Sequence, residues 1–155
     1  MLGQNPRFWK LTALVVVLMI GACAKVPITG RRQMKLLPSS TLNSMSLTEY
    51  QKFISSHRLS TDGNKVEMVR RVGGRIERAL TNYFKVKNQL KYLAGYKWEY
   101  NVVEDNTVNA WCMPGGKVVV YTGLFPVTQN EDAMAVVMGH EIAHAIANHG
   151  NERMS

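Results

Sequence analysis

The sequence predicts an α+β fold: N-terminal helices, a small sheet with a hairpin, and a long helix near the C-terminal end. Three observations point there. Apolar residues recur at intervals of three and four through the first half, the period changes to two over residues 97–103, and β-forming segments flank Pro114-Gly115-Gly116 ahead of another helical stretch. The 155 residues fit one domain, and a chain 46% hydrophobic and 19% charged is neither disordered nor collagen-like. Two cysteines exclude a disulfide-rich scaffold.

Residues 1–22 read as a targeting segment. Arg7 and Lys10 precede an almost unbroken apolar run over 11–20. At about 1.5 Å per residue that run is too short to cross a hydrocarbon core of about 30 Å. Ile20-Gly21-Ala22-Cys23 then resembles a bacterial lipoprotein cleavage box, after which the cysteine becomes the lipid-bearing N-terminus. The resemblance implies a signal peptide over 1–22, lipid attachment at Cys23 and a membrane held through that lipid. Ala24, where an aspartate would favour the inner membrane, implies a bacterial outer-membrane protein facing the periplasm. With Cys23 acylated, Cys112 is left without a partner for an intramolecular disulfide. The net charge of +8 comes from dispersed Lys and Arg with no nucleic-acid motif beside them. The expectation is a basic surface near anionic lipid and no nucleic-acid partner.

Residues 23–45, with Pro27, Gly30, Pro38 and several serines, are expected to be the tether, and 46–155 the folded part. Ser46-x-x-Glu49 offers a capping box for a first helix, with Leu47, Tyr50, Phe53, Ile54 and His57 on one face. A second helix follows the Asp62-Gly63 turn, its apolar stripe being Val66, Val69, Val72, Ile76, Leu80 and Tyr83. Gly73-Gly74 in its middle costs about 1 kcal/mol per glycine, unless a close packing partner needs the space. Over 97–103, Trp98, Tyr100 and Val102 alternate with Lys97, Glu99 and Asn101, as in a half-buried strand. Residues 107–113 and 117–121 flank Pro-Gly-Gly and predict a hairpin. Thr128-x-x-Glu131 offers a second capping box for a helix running to about Asn148.

That last helix carries His140-Glu141-Ile142-Ala143-His144. Residues four apart share a helix face, so both imidazoles can reach one ion. Zinc accepts neutral imidazole nitrogen at about 2.0–2.1 Å and, in catalytic sites, keeps one position for water. Glu141 lies one residue round from His140, where it can act as general base without ligating. The pattern predicts one zinc ion per subunit held by His140 and His144, and carbonyl hydrolysis with Glu141 as the base.

The flanks extend the pattern. Asn109-Ala110-Trp111-Cys112-Met113-Pro114-Gly115-Gly116, Val118-Val119-Val120-Tyr121-Thr122-Gly123-Leu124, Glu131-Asp132 and Gly139-His140-Glu141-Ile142-Ala143-His144 closely resemble the HtpX/BepA/LoiP-like metallopeptidases, which are zinc endopeptidases of the gluzincin type. The resemblance implies an α+β zincin-type domain acting on polypeptides in envelope protein quality control. It also implies that the segment matching 109–116 borders the cleft, where an extended substrate can add as a strand. Cys112, Trp111 and Met113 read as packing residues rather than as nucleophile or redox groups.

His149 falls one position short of the third histidine of a metzincin and is expected instead near helix-end carbonyl oxygens. Gluzincins take a glutamate from a later helix as third ligand, and the sequence stops at Ser155, so the resemblance implies the front part of a catalytic domain. Glu152 is too close to match that glutamate. The competing expectation is a catalytically incomplete fragment or a chaperone-like binding module.

Overall fold

A computed structural model describes residues 23–25, 30, 32–34 and 37–149. The expected signal segment lies outside the described residues. Two short strands, β1 (Cys23–Lys25) and β2 (Arg32–Met34), pair antiparallel with Cys23 opposite Met34. Among the described residues, no helix is long and apolar enough to cross a membrane.

Helix α1 spans Ser39–Ser56, so residues 39–45, expected as part of a tether, are helical. Pro38 stands just before it without a side-chain cap, and Ser46 lies inside the helix rather than at its start. Leu42 anchors this early part of the helix by being buried, and the hydroxyls around it are satisfied within the helix: Ser44 Oγ donates to Ser40 O and Thr48 Oγ1 to Ser44 O. Helix α2 (Gly63–Val86) opens as its sequence predicts, with Asp62 Oδ1 accepting from the amides of Asn64 and Lys65. Val69 and Val72 are buried, and Val66, Ile76 and Leu80 pack beside them. At the helix end Phe84 is fully buried while Tyr83 stays partly exposed. Gly73 has the close partner its cost called for. A Cβ there would lie 2.3 Å from the Tyr100 ring.

The sheet contains β3 (Glu99–Val103), β4 (Ala110–Met113) and β5 (Lys117–Tyr121), in the order β3-β5-β4. The hairpin joins β4 and β5 antiparallel, with Gly115 at φ 89° and Gly116 at φ 84°, a backbone that glycine adopts without a Cβ penalty. β3 pairs with β5 in parallel, Tyr100 opposite Val118. The sheet is covered on both faces rather than half-wet. Val102, Val118 and Val120 meet α2 and the last helix, while Val103 and Val119 meet Tyr50, Phe53 and Ile54 of α1. On this face Glu99 stays exposed and Asn101 half-buried, and Tyr50 ties them to α1, its Oη donating to Glu99 Oε1 at 2.7 Å.

After β5, the short helix α3 (Phe125–Thr128) and Gln129 at φ 59° turn the chain into α4 (Glu131–Ile146). Thr128 is buried at the end of α3, bonded to Leu124 O, and does not cap α4. Asn130 does, its side chain accepting from the Ala133 amide at 2.9 Å. Glu131, released from the expected box, pairs with Arg71 of α2, which also bonds Glu67. Arg71 Nε reaches it at 2.9 Å, and Arg75 lies 3.7 Å away. This anchors the acidic start of α4, where the helix dipole favours negative charge, to the neighbouring helix.

Candidate metal centre

Helix α4 buries Met134, Met138, Ile142, Ala145 and Ile146 against α2 and β4. At 100° per residue this stripe turns the face two positions on, His140 and His144, away from the core. His140 is exposed and His144 half-buried. Their rings lie with centroids 4.4 Å apart and planes at 87°, and the two Nε2 atoms approach to 2.9 Å. Two nitrogens on one tetrahedral zinc would be about 3.3 Å apart. A shift of the rings by a few tenths of an ångström would bring the nitrogens to that spacing, and the donor set, two imidazole nitrogens on one helix face, suits the ion.

Glu141 is half-buried on the flank between the imidazole face and the core stripe. Its side faces β4. Burial first, and then the Glu141 charge, push the Cys112 thiol up to about 12. Cys112 is thus a neutral thiol at ordinary pH, its Sγ donating to Met113 O at 3.5 Å, as a packing residue and not a nucleophile. Trp111 and Met113 turn to the other face, where Trp111 packs edge-on against Phe53 and its Nε1 donates to Tyr121 Oη at 3.3 Å.

The expected residues divide clearly. His140, Glu141 and His144 share one turn of α4, while Cys23 opens β1 as part of a separate two-stranded pair. His149 was expected beside carbonyl oxygens. Its Nδ1 instead meets the Nδ1 of His144, with ring centroids 4.7 Å apart. The available cue was Asn148, which takes the left-handed φ of 56° and turns the chain back over the helix end. Among the described residues no group of three or more His, Cys, Asp or Glu is arranged to hold a metal.

Comparison with known proteins adds to this geometry. The model of peptidase family M48 matches residues 73–155. The chain is 43% identical over 63 residues to the mitochondrial metalloendopeptidase OMA1 of Schizosaccharomyces pombe, covering 41% of this chain and 19% of that protein. It is 25% identical over 130 residues to the metalloendopeptidase OMA1, mitochondrial, of Homo sapiens, covering 82% and 24%. The β-barrel assembly-enhancing protease of Yersinia pestis is 36% identical over 52 residues, covering 34% and 11%. The chain spans about a fifth of the length of the first of these relatives.

The mitochondrial relatives overturn the expected location in a bacterial outer membrane. The reason is physical: basic residues, an apolar run and no acidic residue before position 23 fit more than one kind of leader, and four residues of cleavage box do not separate them.

Proposed function

Since the chain belongs to peptidase family M48, whose model spans more than half of it, we propose that it carries the metal-binding and base residues of a zinc-dependent endopeptidase. The observation that carries this reading is the convergence of His140 Nε2 and His144 Nε2 at 2.9 Å, on a helix whose neighbouring position is Glu141.

Held by these two imidazoles, zinc would supply Lewis acidity toward a peptide carbonyl and lower the pKa of the attacking water. The residues of the chain do the rest. Glu141 takes the proton of that water at its carboxylate and delivers it to the leaving amine nitrogen. Its place at the rim of the core gives the carboxylate a fixed approach while leaving it access to solvent. Substrate polypeptide lies extended along β4. Among the described residues that strand pairs only with β5. Asn109 O accepts from the Tyr121 amide, so by the alternation of an antiparallel ladder the backbone groups of Ala110 and Cys112 face the open edge. Main-chain pairing there favours unfolded or locally extended polypeptides over a single cleavage sequence, in keeping with a quality-control role.

Peptide cleavage in the presence of zinc, for the protein and for Glu141→Gln, tests this. Loss of a general base is expected to lower the rate by at least about 100-fold with zinc content unchanged. Equal rates would remove Glu141 from the mechanism.

A further inference from the structure

His144 is engaged through both ring nitrogens. Its Nε2 faces His140, and its Nδ1 faces Nδ1 of His149. We propose that His149 is a positioning residue, which holds the His144 ring in the orientation and tautomer that present the Nε2 lone pair to metal. The inference rests on the reading of His140 and His144 as the ligands.

The contact is built by the backbone. In an unbroken helix a residue five positions on lies about 140° round the axis and could not meet His144. Helix α4 ends at Ile146, and the Ala147 amide still bonds back to Ala143 O. Asn148 then takes φ 56°, its amide bonding Ala145 O, and the chain folds back. That single left-handed residue places the His149 ring over His144, with planes at 59°.

Proton placement follows from the geometry. A nitrogen that gives its lone pair to a metal carries no proton, so a neutral His144 bound through Nε2 must carry its proton on Nδ1. That proton points at His149. The Nδ1 of His149 must then be the acceptor, and its own proton sits on Nε2. The same arrangement removes His149 as a ligand of the shared ion, because its Nδ1 lies against the far side of the His144 ring from the point where the two Nε2 atoms meet. Partners that orient a metal-bound imidazole in this way typically contribute 10- to 100-fold in metal affinity.

Zinc affinity of the full chain, measured by chelator competition, tests the proposal in wild type, His149→Phe, His149→Asn and His144→Ala, with the melting temperature of each as a check on folding. His149→Phe keeps a flat ring and removes the acceptor, and is expected to weaken binding by about 10- to 100-fold. His149→Asn restores an acceptor oxygen near the Nδ1 position and is expected to recover most of the affinity. His144→Ala is expected to abolish specific binding. Nitrogen-15 NMR of the histidine rings in the metal-free protein is the second readout, with the proton expected on Nδ1 of His144 and on Nε2 of His149. A Phe variant as tight as wild type, or an Asn variant as weak as Phe, would overturn the positioning role. A Phe variant as inert as His144→Ala, with no rescue by Asn, would make His149 a ligand and overturn it too. If wild type and His144→Ala bind zinc alike, the ligand reading fails, while the ring tautomers still decide whether His149 orients His144.

Discussion

Gly73 and Tyr100 occupy one another's space: a Cβ on the glycine would stand 2.3 Å from the tyrosine ring. The tyrosine is held in turn, stacked at 5° on Trp98 and reaching Glu77 through its hydroxyl at 3.5 Å. The close approach of α2 to β3 therefore depends on a missing side chain.

Gly73→Ala is expected to lower stability by about 1–3 kcal/mol, since a well-packed ring must be displaced. Gly74→Ala meets only Arg78 Nη1 at 3.5 Å and should gain up to about 1 kcal/mol from helix propensity. Thermal melts of the two variants check this. Opposite signs at adjacent glycines are the expected outcome.

The carboxyl of Glu99 joins α1 to the sheet. Burial pushes its pKa up, but hydrogen bonds from Tyr50 and from Lys117 Nζ, at 2.7 and 3.2 Å, outweigh that and hold it below its ordinary value. The folded state thus binds this proton less readily than the unfolded chain. The resulting stability is present above the ordinary carboxyl value of 4.5 and is lost as the pH falls below it. In Tyr50→Phe the acid-side loss should shrink. Melting temperatures recorded from pH 6 down to pH 3 would show it, and parallel curves for the two proteins would count against the network.

Cys112 titrates in the opposite sense. Its thiol is raised from 9.0 to about 12, so native stability is intact below pH 9 and declines as pH climbs through that interval. In a Cys23→Ser background, native Cys112 is expected to resist iodoacetamide at pH 8 and to react promptly once unfolded. Rapid alkylation of the native protein would mean that the thiol is neither buried nor close to a carboxylate.

Local chemistry made much of this fold legible. The stripe from Val66 to Leu80, the Asp62 cap and the Pro114-Gly115-Gly116 hairpin each depend on neighbours in sequence, and each forms as expected. The capping boxes at Ser46 and Thr128 failed because a nearby residue did the same job earlier or better: helix α1 runs back to Ser39, and Asn130 caps α4. The parallel pairing of β3 with β5 and the covering of Val103 and Val119 by α1 are contacts between distant segments, with no local signature. At the site, the spacing of His140 and His144 was readable because a helix converts four residues into one face. The ring of His149 was not, because its place depends on one left-handed residue, Asn148. Location was the least legible of all, since the charges and apolar run of residues 1–22 fit more than one route.

In the proposed site His140 and His144 together hold one zinc ion, with Glu141 beside it as base and not as ligand. Equilibrium dialysis of the chain against zinc, in wild type, His140→Ala, His144→Ala and Glu141→Gln, measures this directly. One zinc per chain is expected in wild type and in Glu141→Gln, with loss of specific binding in both alanine variants. Unchanged zinc in either alanine variant, or its loss in Glu141→Gln, would contradict it.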